Sequence, residues 1–220
     1  MEAEVNRLID MAKDLASRHN DAGMEKAAEI MLYLINAGHE NPEILVSAAS
    51  YLLQGPSGNK RKIKDQAVAL IDKALSFAPE NISILERAIL SYELVLNDFP
   101  DKLNDIIRLC LKILDLDPDH VNCMVTLAYH RHHPGVALKS IDAIQMLEWA
   151  KEVEPNNILV DSALARLYME SGNYRRARSL YQKIIANTDS DSMESLDAQR
   201  QIKSVRPESR FKRRRKYGVN

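Results

Sequence analysis

The residues most able to do chemistry lie in one short segment, where His130, His132 and His133 precede a proline and a glycine. Histidines at positions i and i+3 share a helix face, so this spacing is compatible with a metal site. However, Pro134 ends a helix at this point, and no cysteine or carboxylate lies beside the three histidines. We therefore interpret them as the polar end of a helix, and we predict no metal site and no cofactor.

Sequence motifs that mark catalysis are missing as well. The chain has no glycine-rich phosphate loop, no GxSxG motif and no HExxH motif, so we predict that it is not an enzyme. Its two cysteines do not form a CxxC pair and are too few for a disulfide framework, which favours a cytoplasmic location. We expect Cys110 to pack in a core and Cys123 to be partly exposed.

The composition favours helices over strands. Aromatic residues make up 5% of the 220 residues and only seven glycines occur, a composition unlike that of β proteins. No run of about 18 uncharged apolar residues could span a membrane. The N-terminal segment alternates apolar and charged residues and lacks the pattern of a secretory signal. These features predict an all-α protein without a membrane span.

The prolines divide the chain at regular intervals. Four of them recur 37, 39 and 37 residues apart, and each follows a segment of apolar residues at helical spacing. These four are Pro42, Pro79, Pro118 and Pro155. Three further prolines fall roughly midway between them: Pro56, Pro100 and Pro134. Because proline interrupts a helix, the pattern predicts repeated units of two helices each.

The last of these units resembles the tetratricopeptide (TPR) repeat family. The resemblance is carried by Leu164, Ala165, Tyr168, Gly172, Tyr174, Ala177, Tyr181 and Ile184. It implies small residues at Ala165 and Ala177, where helices approach closely, and a large ring at Tyr181 that fills the gap between them. In the preceding unit, we expect Trp149 to pack between repeats.

The resemblance extends over residues 3–187 and implies a right-handed α-solenoid of about five TPR-like helix-turn-helix repeats. We place the repeat array at residues 1–190, a capping helix at 191–205 and a basic tail at 206–220. The approximate repeat units are 3–41, 42–80, 81–119, 120–156 and 157–187. The middle three units have longer internal turns than the family usually has. Two interpretations of these turns remain, a lateral contact surface or neutral variation in loop length.

In TPR arrays the first helices of successive units line a groove, and the resemblance places mixed apolar, polar and charged residues there. Such a groove suits an extended peptide or a helix of a partner protein. We choose Arg87, Tyr129 and Arg166 as anchors, because arginine and tyrosine dominate interface hot spots. Glu86 and Asn122 complete the candidate groove. The carboxylate clamp of chaperone-binding TPR domains is not matched, and a solvated groove without a partner is the alternative.

The C-terminal segment carries a separate signal. Residues 206–220 hold seven basic residues and one glutamate, a charge of +6, so the remainder of the chain is at −7. The candidate anion contacts are Lys212, Arg213, Arg214, Arg215 and Lys216. With Phe211 and Tyr217 beside it, this run is compatible with weak nucleic-acid binding, with an anionic membrane or with a nuclear address. A tail that binds the acidic body of the protein, or only aids solubility, is the simplest alternative.

Two classes of function follow from these features. The first is a non-catalytic scaffold or adaptor that binds a peptide or helix of a partner protein in the groove. The alternative is a nucleic-acid- or ribosome-associated accessory protein that is anchored by the basic tail. Self-association of the array is a third hypothesis, and the sequence leaves the oligomeric state open.

Overall fold

The computed structural model describes residues 2–18 and 20–204, and the basic tail at 206–220 lies outside the described residues. Within the described ranges the chain forms eleven α-helices and no β-strand. The helices are α1 (Glu2–Ser17), α2 (Asp21–Asn36), α3 (Pro42–Gln54), α4 (Arg61–Phe77), α5 (Ile82–Val95), α6 (Lys102–Leu116), α7 (Val121–Tyr129), α8 (Ser140–Val153), α9 (Ile158–Glu170), α10 (Tyr174–Asn187) and α11 (Met193–Ser204).

Successive helices pack as pairs. The helices α1 and α2, α3 and α4, α5 and α6, α7 and α8, and α9 and α10 contact each other, and α11 packs against α10. Five helix-turn-helix pairs with one additional helix confirm the predicted all-α repeat architecture among the described residues.

The prolines mark the ends of the second helices because each prevents the helix from continuing. The helices α4, α6 and α8 end at C-cap residues that directly precede proline, in backbone conformations outside the helical region. Two residues after each proline, a side chain accepts a hydrogen bond from the first turn of the next helix. These N-cap residues are Asn81, His120 and Asn157. One short motif therefore ends a helix pair and begins the next.

Contacts within the chain divide it into two compact units, Met1–Pro118 and Asp119–Asn220. The first unit contains α1 to α6. Its largest fully buried side chains include Met31, Leu34, Ile71, Tyr92 and Ile113. Cys110 is buried in α6, as the sequence predicts.

The second unit contains the helices from α7 onward. Ala165 and Ala177 are fully buried and Tyr181 is almost so, as the TPR resemblance implies. The helix α11 buries Ser195 and Ala198 against its neighbours. Cys123 is buried, so the expectation that it is partly exposed is wrong. The reason is its position on α7 one turn before Leu127, which is also buried.

The turns inside the pairs differ in length and in how they are held. The α9–α10 turn is short, and Gly172 adopts a φ of +77° that a side chain would disfavour. In the first unit, the α5–α6 turn contacts α4: Arg61 lies 3.8 Å from the centre of the Phe99 ring and donates a hydrogen bond to the Asp98 carbonyl. In the second unit, the turn after α7 includes Ala137 in the left-handed region, with a φ of +47°.

Candidate binding surface

A pocket with a volume of about 410 Å³ lies between the first helices of the second unit and α11. The helices α7 and α9 lie side by side and provide Tyr129, Leu159 and Arg166. On α9, residues 159, 162, 163 and 166 follow helical spacing and so face the same side. Tyr129 is 58% exposed and Leu159 is 56% exposed. The pocket therefore offers both an aromatic and an aliphatic surface to a ligand.

Arg166 gives the pocket its positive charge. The central carbon of its guanidinium lies 4.2 Å from the centre of the Tyr129 ring, at the distance of a cation–π contact. Its Nε is buried and has no hydrogen-bond partner among the described residues. Burial, followed by the charges of His133 and Arg166, lowers the pKa of His130, whose ring packs edge-on against Tyr129. The ring of Tyr129 thus fixes the position of the Arg166 guanidinium in the pocket.

Two carboxylates also line the pocket, but one of them is neutralised. Glu170 forms an ion pair with Arg131, a buried side chain in the turn after α7. The second carboxylate belongs to Asp197 on α11. Burial, followed by the charge of Asp197, raises the pKa of the Tyr181 hydroxyl, which also lines the pocket. The surface is therefore mixed in charge, and it can accept hydrogen bonds from a ligand as well as donate them.

The structure brings together Tyr129 and Arg166, and it places the other predicted groove residues elsewhere. Asn122 is exposed on α7 and does not line the pocket. Glu86 and Arg87 lie on α5 in the first unit. There the two terminal nitrogens of Arg87 bind Glu43 Oε2 and Ser47 Oγ of α3, each at 2.8 Å. A partner that used Arg87 would have to compete with these contacts.

The remaining predicted sites are the three histidines after α7 and the basic tail. His133 Nδ1 accepts a hydrogen bond from the Gly135 amide at 3.1 Å, in the turn that follows α7. Across residues 2–18 and 20–204, metal-ligating side chains do not gather in groups of three or more. The predicted contacts in the basic tail, residues 212–216, lie outside the described residues.

Two features of the second unit were missed by the sequence analysis. The carboxylate of Asp161 on α9 is almost fully buried and binds Lys151 of α8 and Lys183 of α10, the latter at 2.8 Å. The sequence signal that could have predicted this cluster is Asp161 itself, a charged residue at a position of α9 that faces the core. Trp149 was expected to pack between repeats, and this is wrong. The residue is 51% exposed, because the core-facing side of α8 is already filled by Ala143, Leu147 and Ala150.

Comparison with known proteins supports the repeat fold. The family model of YpiA-like tetratricopeptide repeats matches residues 142–189. No curated protein matches the chain. Among the described helices, none has the length and apolar character needed to cross a bilayer.

Solved structures extend the likeness to most of the chain. TTC0263, a TPR protein of Thermus thermophilus, is similar with a TM-score of 0.59 and 15% identity over 91% of this chain and 98% of that one. MamA from MSR-1 is similar with a TM-score of 0.57 and 21% identity, over 81% of this chain and 90% of that one. A MamA RS-1 double mutant gives a TM-score of 0.60 at 14% identity, over 84% and 97% of the two chains.

At these identities the structural likeness concerns the fold. The family match covers residues 142–189, in α8 to α10, and the likeness to solved structures shows an all-α repeat fold over most of the chain.

Proposed function

We propose that this protein is a non-catalytic scaffold that binds a peptide or helix of a partner protein in the pocket between α7, α9 and α11. The observation that carries the proposal is the pairing of Arg166 with the exposed ring of Tyr129, next to the exposed side chain of Leu159. Arginine and tyrosine at the centre of a surface are the residue types that contribute most to protein interfaces. The TPR fold, which commonly supports protein interactions, agrees with this function.

The pocket favours a particular kind of ligand segment. An apolar side chain of the partner would contact Leu159 and the face of Tyr129 that Arg166 leaves open. A carbonyl or carboxylate oxygen next to it would accept hydrogen bonds from the Arg166 guanidinium. Asp197 on the opposite side would receive a donor from the partner, so the segment needs polar groups of both kinds. A peptide backbone supplies both hydrogen-bond donors and hydrogen-bond acceptors, whereas a wholly apolar ligand supplies neither.

Affinity capture from native lysate tests the proposal. The wild-type chain, an Arg166→Ala variant and a Tyr129→Ala variant are compared, with nuclease treatment as a further arm. Arg178→Ala is the matched control, because Arg178 is an exposed arginine of the same unit that does not line the pocket. We expect one protein to be retained by the wild type and by the control, to resist nuclease, and to be lost with both pocket variants. Equal retention by all four forms would contradict the assigned site.

The alternative function, nucleic-acid or ribosome association, rests on residues 206–220, outside the described residues, and stays a prediction from the sequence. Retention that disappears with nuclease would favour it. The cytoplasmic location also remains a prediction.

A further inference from the structure

The outward side of α8 carries three exposed apolar side chains. Ile141, Trp149 and Val153 are all exposed, and they stand at multiples of four residues along the helix, so they form one stripe. From residue 141 to residue 153 the stripe is about 18 Å long. The opposite side of the helix is also apolar and faces the core. A helix that is apolar on two sides usually has a neighbour on each, but among the described residues the outward side is left open.

Trp149 is held in position although its ring is open to solvent. The indole Nε1 donates a hydrogen bond to Asp119 Oδ1 at 3.0 Å, which anchors the ring to the segment before α7. Binding to a side chain that is already fixed costs less conformational entropy than binding that must first order the side chain. The ring is therefore prepared for contact with another group.

The surroundings of the stripe are acidic. Glu148 and Glu152 line a shallow hollow beside Trp149, together with Tyr168 and Arg176. Asp142 is exposed near the start of the same helix. The lysine of this helix, Lys151, is bound to Asp161 on another side. We call the stripe and these carboxylates the α8 face. It combines an exposed indole with negative charge, which suits a ligand that carries both cations and apolar rings.

We propose that the α8 face binds residues 206–220 of the same chain. That segment has a charge of +6 and contains Phe211 and Tyr217 on the two sides of its basic run, so its chemistry complements the face. The lysine and arginine side chains would pair with Glu148 and Glu152, and a cation or a ring would lie on Trp149. This interaction is separate from the pocket between α7, α9 and α11, since it uses a different set of residues.

The chain is long enough to make this contact. The helix α11 packs on α10, α10 packs on α9, and α9 packs on α8, so three helix-to-helix steps separate α11 from the α8 face. At an interaxial distance of about 10 Å, three steps amount to about 30 Å. Lys212 and Lys216, the ends of the basic run, stand eight and twelve residues after Ser204, so an extended chain carries them about 26 and about 40 Å from it. The connection is thus within reach without any rearrangement of the helices.

Trp149 is the only tryptophan of the chain, so its fluorescence reports on the α8 face alone. The test compares the full-length wild type with a full-length variant in which residues 212–216 are all changed to glutamine. We expect the emission of the variant to shift to longer wavelength and its quenching by acrylamide to increase, because the indole becomes more exposed. About 1 M salt should move the wild type in the same direction, since it screens charge over about 3 Å. A control that changes exposed Lys13, Lys26 and Lys62 to glutamine should leave the emission unchanged.

A second pair of variants tests the face itself. Glu148→Gln with Glu152→Gln removes two charges and keeps an oxygen that accepts the Tyr168 hydroxyl hydrogen bond. Its matched control is Glu25→Gln with Glu29→Gln, an exposed pair at the same spacing on α2. The α8 pair should reproduce the shift, and it should add nothing in the tail-neutralised background, because the contact is already lost there. The control pair should have no effect.

Three results would overturn the proposal. The first is an emission spectrum that is the same in the wild type and in the tail-neutralised variant. The second is an effect of the α8 pair that persists in full in the tail-neutralised background, which would show a direct effect on the indole. The third is a wild-type spectrum that changes on dilution, which would assign the contact to two separate chains.

Discussion

The guanidinium of Arg166 lies 4.2 Å from the centre of the Tyr129 ring and connects the last residue of α7 to the middle of α9. The ring is largely exposed, so the contact adds little to folding and mainly fixes both side chains at the edge of the pocket. An exposed cation–π contact contributes about 0.5–1 kcal/mol. The two residues are therefore better placed for binding than for stability.

This difference gives a first prediction. Tyr129→Ala should lower the free energy of unfolding by no more than about 1 kcal/mol, because the contacts that are lost, with Arg166 and His130, involve a largely exposed ring. It should nevertheless weaken binding of the partner segment by tenfold or more, an effect of about 1.4 kcal/mol or larger. Urea unfolding followed by circular dichroism measures the first quantity and titration calorimetry the second. A large loss of stability without a loss of affinity would assign Tyr129 a structural role.

Asp161 provides a prediction about stability. Asp161→Asn should destabilise the protein by about 2 kcal/mol, because the amide has no negative charge and keeps only one of the two oxygens that bind Lys151 and Lys183. Burial, followed by the nearby Lys183, lowers the pKa of Lys151. Urea unfolding measures the change, and Asp142→Asn is the control. Asp142 is an exposed carboxylate on α8, and its replacement should change the free energy of unfolding by less than about 0.5 kcal/mol. Equal effects of the two variants would show that the cluster is not a stabilising contact.

Tyr92 gives a prediction about pH. Its side chain is buried and its hydroxyl donates a hydrogen bond to Asp72. Burial is the main cause that raises its pKa above the ordinary 10.0, and the Asp72 contact adds to it. The folded state therefore keeps the proton while the unfolded chain loses it, so this contribution is complete below pH 10.0 and is lost as the pH rises above that value.

Tyr92→Phe should accordingly reduce the loss of stability between about pH 8 and about pH 11, because phenylalanine has no proton to lose. Urea unfolding at the two pH values measures the loss. Tyr33→Phe is the control, since Tyr33 is an exposed tyrosine of the same unit and should not change the pH dependence. If the free energy of unfolding of Tyr92→Phe falls between the two pH values as much as that of the wild type, deprotonation of Tyr92 does not cause the loss.

Ala137 gives a prediction about the backbone. Its φ of +47° lies in the left-handed region, which costs a residue with a side chain about 1 kcal/mol or more. Ala137→Gly should therefore stabilise the second unit by about 0.5 kcal/mol, since part of the gain is offset by the greater freedom of glycine in the unfolded chain. The control is Ala69→Gly inside α4, which should destabilise by about 1 kcal/mol. Thermal unfolding distinguishes the two, because the signs are opposite.

The fold could be predicted from the sequence because its signals are local. Proline ends a helix whatever surrounds it, so Pro79, Pro118 and Pro155 located the ends of three second helices correctly. The buried Ala165 could be predicted because close helix packing requires a small residue there. Such positions depend on backbone geometry that repeats from one unit to the next.

The candidate site was less predictable because it depends on side-chain partners. Arg87 and Arg166 both lie on first helices, yet Arg87 binds Glu43 and Ser47 whereas Arg166 lies on the Tyr129 ring. Helical spacing indicates which side a residue faces, but it does not reveal the residue opposite. Trp149 was misassigned for a related reason, since its size suggested a core position that smaller residues already fill.

The most direct test of the central claim is hydroxyl-radical footprinting of the protein with and without its captured partner segment. Tyr129 and Leu159 are exposed in the free chain and should be oxidised there. We expect both to become protected in the complex, while exposed Tyr33 and Leu94 of the first unit are oxidised as before. Protection of Tyr33 or Leu94 with unchanged oxidation of Tyr129 and Leu159 would contradict it, and would place the binding surface outside the pocket.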